Sequence, residues 1–127
     1  MYAALAKSAF DPATLPDRYA LRIQGMCMSP VIADGAVVAF SRTELPRPGD
    51  FVVLWFRPEC TPLGVPAAQV KKLTGRDGPN LFIERFVPHG YFSVHPSELV
   101  EVHKAIGIFP ASKGAGGSHD FATLRPF

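Results

Sequence analysis

The sequence contains no long hydrophobic run and carries little net charge. Its longest apolar stretches, such as FVVLWF at residues 51–56, are far shorter than the roughly 20 residues that a membrane-spanning helix requires. The N-terminal residues do not combine an apolar core with a cleavage pattern of small residues, as a secretory signal would. A formal net charge of +2, with basic residues scattered along the chain, does not form the surface on which nucleic acids bind. We therefore expect a cytoplasmic protein that neither enters a membrane nor binds nucleic acid directly.

Cysteine is scarce, and the sequence contains no metal-binding motif. The two cysteines, Cys27 and Cys60, are expected to remain free thiols in a reducing compartment. Cys60 lies in a proline-rich segment, residues 57–67, that is typical of a surface loop, and we interpret it as an incidental exposed cysteine rather than a redox or metal-binding thiol. The histidines lack the spacing of a zinc site and are interpreted as structural: His89, His95, His103 and His119. The sequence thus predicts no metal and no cofactor.

The sequence favours short β-strands over helices. Thirteen prolines and eleven glycines interrupt it, and no window of about a dozen residues shows the apolar period of a long amphipathic helix. The segment Asp77-Gly78-Pro79-Asn80 is typical of a hairpin turn between the fourth and fifth strands. Six runs of strand-forming residues are predicted: residues 19–24, 36–40, 50–56, 67–73, 80–86 and 99–109. We therefore predict an all-β fold of mainly antiparallel strands with little helix.

The length of 127 residues fits one domain with its own hydrophobic core. Residues 19–110 contain all the predicted strands and are expected to form this domain. Residues 1–18 are interpreted as a lead-in segment. Residues 111–127 are rich in small residues and then contain two phenylalanines, Phe121 and Phe127, which predicts a flexible tail followed by a docking segment.

A free thiol lies where a predicted strand meets a turn. Cys27 stands between Gly25 and Pro30 in the sequence GMCMSP. A sharp turn after a strand is a place where a nucleophile projects into a cleft beside backbone N–H groups. Taken alone, however, a cysteine among apolar neighbours is more often a small core residue. The motif by itself leaves both interpretations open.

A second feature is the lysine pair in the predicted strand QVKKL. Strand alternation sends Lys71 and Lys72 to opposite faces, so one of them must point inward or lie at a sheet edge. A desolvated lysine loses its charge more readily and can act as a general base towards a neighbouring hydroxyl or thiol. The other interpretation is a pair of solvated lysines on an edge strand, and the spacing does not decide between the two.

Four ordered motifs resemble the C-terminal domain of LexA-like and UmuD-like self-cleaving proteins and phage repressors, whose core motifs signal peptidases share. In that family a strand leads into Gly-x-Ser-Met, often with a proline two residues after the Met, and Asp-Gly, Gly-Asp-x-Val-Val and Val-Lys-Arg-Leu follow. Four motifs in order are more specific than any one of them, and the resemblance covers roughly residues 10–110. It implies a LexA-like, signal-peptidase-like β-ribbon fold. The matching residues are 25–30, 34–35, 49–53 and 70–73.

The resemblance also implies roles for individual residues. The family's nucleophilic serine falls on Cys27 and its general-base lysine on Lys71, while Gly25 and Met28 belong to the turn that forms the oxyanion site. Ser29 lies two positions after Cys27 and does not replace the missing hydroxyl. A thiol, with an ordinary pKa of about 8.5, is easier to activate than a hydroxyl. Sulfur is larger than oxygen, however, and a small displacement of reacting groups can cost on the order of a hundredfold in rate.

The substrate segment of the family is missing from the expected place. In the family the scissile Ala-Gly or Cys-Gly bond lies well ahead of the nucleophile, and no such dipeptide precedes Gly25 here. Only 26 residues precede Cys27, too few for a cleavage segment or a helix-turn-helix domain. Ala115-Gly116 follows the last predicted strand, and the family gives no precedent for its reaching the cleft. We therefore expect self-cleavage to be impaired.

These features favour a dimerising or regulatory module of phage or SOS type, acting on a second copy or another protein. Because the family pairs through its last strands, we expect a homodimer interface on an apolar edge strand that begins at Val100 and ends at Phe109. The alternative is an active Cys27–Lys71 peptidase whose substrate is an extended peptide of another chain. A further alternative is that Cys27 is an engineered replacement of serine.

Overall fold

The computed structural model describes residues 11–110 and 120–127. Within these residues eight strands form one sheet, and the helical parts are short 3-10 turns. The strands are β1 (Arg18–Arg22), β2 (Val37–Ser41), β3 (Phe51–Phe56), β4 (Ala68–Asp77), β5 (Asn80–Arg85), β6 (Gly90–Val94), β7 (Leu99–Ile108) and β8 (Arg125–Pro126). The 3-10 turns are Pro12–Thr14, Pro58–Cys60, Pro96–Glu98 and Phe121–Thr123. The predicted all-β class with little helix is confirmed.

All strand pairs in the described residues are antiparallel, as predicted. The spatial order is β1-β2-β7-β3-β4-β5-β6, and β8 pairs with β7. The predicted hairpin between β4 and β5 is confirmed: Asp77 pairs with Asn80, and Gly78 has a φ of 57° in the turn. Glycine adopts this left-handed conformation without the clash that a side chain would cause.

The central strand β3 is buried on both faces, which explains its unbroken apolar sequence. Val53 and Trp55 belong to one hydrophobic cluster, which includes Tyr19 and Phe40. The alternating residues Val52 and Leu54 belong to a second cluster, which contains Leu73, Leu81 and Ile83. The sheet therefore has apolar contacts on both of its faces, and side chains of β4, which pairs with β3, have buried neighbours in either direction.

The structure corrects the expectation that the strand from Val100 to Phe109 is a sheet edge. β7 lies between β2 and β3. Residues of its second half, such as Lys104 and Ile108, pair with β2, and those of its first half pair with β3. An apolar run is typical of an edge that binds a partner and equally of an interior strand, and only the pairing distinguishes the two.

Two strands were not predicted from the sequence. In β6 the residues Tyr91, Phe92 and Ser93 are all exposed, so the alternation that indicates a half-buried strand is absent. β8 has only two residues, one of them Pro126, and its position depends on pairing with Gly107 and Ile108 of β7. Both strands form because a neighbouring strand offers backbone hydrogen-bond partners. Their own sequences do not show that such a neighbour is present.

Residues 120–127 pack on the sheet in the region for which the sequence predicted a tail with a docking segment. The Phe121 ring lies 5.3 Å from the Phe109 ring, and the Phe127 ring lies 5.0 Å from the Phe51 ring, centroid to centroid. The intervening part of the predicted tail, residues 111–119, which includes Ala115-Gly116, lies outside the described residues, as do residues 1–10 of the predicted lead-in segment.

Replacing Gly107 with alanine is expected to displace β8. A Cβ at this position would lie 2.5 Å from the Arg125 carbonyl oxygen and 2.8 Å from Leu124 Cγ, which real structures do not tolerate. We expect amide hydrogen exchange at Leu124 and Arg125 to accelerate by about tenfold or more. Gly75→Ala is the control, because its Cβ would meet only Phe82, at an ordinary 3.7 Å. Equal exchange in both variants would contradict the close contact at Gly107.

Candidate active site

Cys27 lies in the loop between β1 and β2, which is held by a hydrogen bond at Gly25 before it and by the buried Met28 after it. Gly25 has a φ of 96°, and its N–H donates a hydrogen bond of 2.8 Å to Asp34 Oδ1. Met28 is buried, and its carbonyl accepts a hydrogen bond of 2.9 Å from the Ile32 N–H. Cys27 itself is exposed. The thiol is therefore not the small core residue that its apolar neighbours also allowed.

The end of β5 holds the Cys27 backbone from the opposite side. The Cys27 carbonyl accepts two hydrogen bonds, from the Phe86 N–H at 2.8 Å and from the Val87 N–H at 2.9 Å. Both donors follow Arg85, the last residue of β5. The sequence motifs around Cys27 do not predict this contact, because it joins segments about sixty residues apart in the chain.

The strand register decides between the two lysines. Lys71 pairs with Val52, which is fully buried, whereas Lys72 pairs with Phe51 on one side and Glu84 on the other. The Lys71 side chain is 7% exposed, and its Nζ donates a hydrogen bond of 3.1 Å to the Val70 carbonyl. Lys71 is therefore the desolvated member of the pair.

Cys27 and Lys71 line the same groove, which has a volume of about 220 Å³. One wall is the strand exit at residues 23–25, and the other includes the first half of β4. Burial lowers the pKa of Lys71; the neighbouring Cys27 thiol raises this pKa in part, and the positive charge of Arg85 lowers it further. The remaining lining residues are Met28, Val65 and Pro66 with the β4 residues Ala68, Gln69 and Val70.

The groove has the components of a nucleophile–base pair with the base not yet aligned on the thiol. An uncharged amine can accept a proton from a thiol, and the resulting thiolate can attack a carbonyl carbon. In this structure the hydrogen bond of Lys71 Nζ goes to the Val70 carbonyl. No hydrogen bond joins Nζ to Sγ among the described residues, and catalytic contacts of this kind often tighten only when substrate is bound.

A buried polar chain lies on the other side of β3 and was not predicted from the sequence. The Trp55 indole N–H donates to Tyr19 Oη at 3.1 Å, and this hydroxyl bonds to His103 Nδ1. The Glu101 carboxylate only accepts, so Nε2 carries the imidazole proton; in the uncharged ring Nδ1 is then an acceptor, and the tyrosine hydroxyl donates to it. His103 Nε2–H then donates to Glu101 Oε1 at 2.6 Å. Arg42 Nε lies 3.5 Å from the same carboxylate oxygen.

This chain requires an uncharged His103. Burial lowers the pKa of His103, although the hydrogen bond and charge of Glu101 act in the opposite direction. Burial likewise raises the pKa of Tyr19, which keeps the hydroxyl protonated. Trp55 of this chain pairs with Ala68, a lining residue of the groove, but none of the chain's own residues lines the groove, and we assign the chain a structural role.

Cys60, His89 and His95 are all exposed. Cys60 is exposed at the end of a 3-10 turn, and both Cys27 and Cys60 are free thiols, as expected. His89 Nε2 pairs with Glu84 at 2.8 Å, and His95 caps a 3-10 turn. His119 lies outside the described residues. Within residues 11–110 and 120–127, no cluster of three or more His, Cys, Asp or Glu side chains is arranged to hold a metal ion.

Comparisons with protein-family models, with curated proteins and with solved structures find no match for this chain. None of the helices in the described part of the chain is long and apolar enough to cross a membrane. The fold defines an all-β protein, and its groove contains an exposed thiol beside a buried lysine.

Proposed function

We propose that this chain is a LexA-like peptidase-fold domain in which Cys27 replaces the nucleophilic serine, and that its groove binds an extended peptide. The observation that carries the proposal is that Cys27 and the buried Lys71 line one groove. Burying a charged lysine is costly. A buried lysine with a lowered pKa is therefore a candidate for a functional role. The register that buries Lys71 rather than Lys72 supports the role that the resemblance implies for it.

The groove has a backbone edge that suits an extended peptide. β4 pairs with β3 from Ala68 onward, but its ladder with β5 begins only at Lys72. The stretch before Lys72 therefore has one edge turned towards the groove, where a bound segment can add as a strand. Peptide backbones bind by such strand addition, and the pockets beside them select side chains.

In the proposed reaction the uncharged Nζ of Lys71 accepts the thiol proton of Cys27. Sγ forms a bond to the carbonyl carbon of the bound peptide, and the carbonyl oxygen becomes an oxyanion beside the turn at Met28. The carbon–nitrogen bond then breaks, and Nζ returns the proton to the leaving amine. Water hydrolyses the thioester and restores the thiol.

Two features support impaired cleavage and a regulatory role. Among the described residues, Lys71 Nζ is hydrogen-bonded to the Val70 carbonyl and not to Cys27 Sγ, and sulfur occupies more space than the hydroxyl of the family. The peptide then remains bound instead of being released as products, as in a module that recognises a partner. A dimer remains part of this proposal, although β7, as an interior strand, no longer supplies the edge on which it was expected.

The second candidate is an active peptidase that cleaves another chain. It is favoured by the lowered pKa of Lys71, which burial causes, and by the exposure of Cys27. An amine that is neutral at a lower pH than usual is a competent base for a thiol. The two candidates differ only in whether the thioester forms and is hydrolysed.

Incubating the protein and its Cys27→Ser variant with a mixture of unstructured peptides at mildly alkaline pH tests both candidates. We expect cleavage products with Cys27→Ser alone, because oxygen fits the site that sulfur impairs, and mass spectrometry of the peptides detects them. Products with both proteins would favour the active peptidase. A Cys27→Ser/Lys71→Met double variant is the control, and it should produce none. Absence of products from every protein would contradict a peptidase site in the groove.

A further inference from the structure

Arg85 has no part in the reaction above, yet its side chain is held from two directions. Its Nε–H donates a hydrogen bond of 2.8 Å to the Pro88 carbonyl. Its guanidinium carbon lies 4.7 Å from the centre of the Phe92 ring, in a cation–π contact. A side chain with both restraints has a defined position.

The neighbouring Gly90 keeps space for this arrangement. A Cβ at residue 90 would lie 3.2 Å from two carbon atoms of the Phe92 ring and 3.7 Å from Arg85 Nη2. The Phe92 ring would have to shift by a few tenths of an ångström to admit it, whereas the distance to the guanidinium is an ordinary contact. Gly90 pairs directly with Arg85 in the β5–β6 ladder, so the absence of a side chain here leaves room for the ring and the guanidinium to meet.

The restrained residue adjoins the backbone that holds the thiol. Phe86 and Val87 follow Arg85 in the chain, and their N–H groups donate to the Cys27 carbonyl at 2.8 and 2.9 Å. The Phe86 ring also packs edge-on against Phe51, with 6.1 Å between centroids. The Arg85 backbone is therefore continuous with the two N–H groups that hold the Cys27 carbonyl, so a shift of this backbone would displace both hydrogen bonds.

We propose that Arg85 is a positioning residue for the Cys27–Lys71 pair: clamped by Phe92 and the Pro88 carbonyl, it fixes the segment that holds the Cys27 backbone and places a permanent positive charge beside the groove. This proposal rests on the proposed function of the pair. The charged neighbours that act on Lys71 are Cys27 and Arg85. A fixed cation disfavours a second positive charge on Lys71, and so keeps the Lys71 amine available to accept a proton.

The test measures the rate of Cys27 alkylation by iodoacetamide as a function of pH. All proteins carry Cys60→Ser, so that Cys27 is the single thiol. Arg85→Gln and Phe92→Leu are expected to move the profile to higher pH, because without the clamped cation Lys71 keeps its own proton to higher pH and cannot yet act as a base for the thiol. Near neutral pH the alkylation rate should fall by about threefold or more. Arg85→Lys, which keeps the charge, should recover part of the rate.

Arg57→Gln is the matched control, because Arg57 also donates its Nε–H to a backbone carbonyl, that of Ser97 at 3.0 Å, and does not line the groove. The Lys71→Met variant distinguishes a failure of the role proposed for Arg85 from a failure of the function proposed for the Cys27–Lys71 pair. If Lys71→Met changes the profile while Arg85→Gln and Phe92→Leu match the control, the role of Arg85 is refuted and the pair stands. If Lys71→Met matches the control as well, the proposed function itself is refuted.

Discussion

Replacing Lys71 with methionine is expected to stabilise the fold and to remove the activation of Cys27. The lysine is 7% exposed, and its Nζ has only the Val70 carbonyl as a hydrogen-bond acceptor among the described residues. Methionine has a similar length and no charge to desolvate. We expect the free energy of unfolding near neutral pH to rise by about 1–3 kcal/mol. A gain in stability with a loss of reactivity is typical of a functional site.

The free energy of unfolding should also depend on pH through Lys71. Burial lowers the pKa of Lys71 in the folded state below the value of 10.5 that applies to the unfolded chain. Between these two pKa values the unfolded state binds more protons than the folded state, so the stability contributed by Lys71 rises with pH in that window. Below the lowered pKa the destabilisation is constant. Urea unfolding at several pH values should therefore show a positive slope that Lys71→Met lacks.

Lys72→Met is the control for this experiment. Lys72 is only half-buried and pairs with Phe51 and Glu84, so its replacement should change neither the stability at neutral pH nor the slope by much. A Lys71→Met variant that unfolds more easily than the parent, with the slope retained, would mean that Lys71 is a structural residue whose charge the fold accommodates.

Replacing His103 with leucine is expected to destabilise the fold by about 2–4 kcal/mol. The imidazole is 2% exposed and joins Tyr19 to Glu101. Leucine leaves the tyrosine hydroxyl without its acceptor and removes the donor from the Glu101 carboxylate, which keeps Arg42 at 3.5 Å. A buried polar group that loses its partner costs more than the hydrogen bond contributed. Chemical unfolding with fluorescence of Trp55 as the probe measures the loss.

His103 also predicts how the parent protein responds to acid. Burial lowers the pKa of His103 below the ordinary value of 6.5. When the pH falls below about 6.5, the unfolded chain takes up a proton that the folded chain does not, so stability decreases with falling pH until the lowered pKa is passed. His103→Leu should remove this acid-dependent part.

A double-mutant cycle with Tyr19→Phe isolates the Tyr19–His103 contact. Because both side chains belong to one hydrogen-bonded chain, the double variant should cost less than the sum of the two single variants. The control is His89→Gln, since His89 is exposed and contacts Glu84 and the Tyr91 ring at the surface. Strict additivity, or a His89→Gln effect as large as that of His103→Leu, would argue against a buried chain.

The positions of most strands were predictable because their signals are local. The runs of β-branched and aromatic residues that end at glycine and proline turns became six of the eight described strands, and the Asp77–Asn80 turn joins β4 to β5. The two missed strands, β6 and β8, have weak local signals. β6 is exposed along most of its length, and β8 exists only where Gly107 admits the Arg125 carbonyl.

The components of the candidate site were predictable, whereas their arrangement was not. Sequence motifs pointed to Cys27 and Lys71 but left open whether Lys71 or Lys72 is buried, because alternation is symmetric until the register is known. Lys71 pairs with the buried Val52, and Lys71 is therefore the buried lysine. No motif pointed to Arg85, since its relation to Cys27 depends on the path of the chain after β5. The interior position of β7 was missed for the same reason.

By itself the sequence determined an all-β class, the approximate extent of six strands, the hairpin between β4 and β5, and a thiol at the turn after β1. These features follow from side-chain pattern and turn chemistry over a few neighbouring residues. Only the tertiary structure decided that Lys71 is desolvated, that Cys27 shares its groove, that the segment after Arg85 holds the Cys27 carbonyl and that β7 is interior. Burial and electrostatic environment depend on residues far apart in the chain, and strand pairing alone brings those residues together.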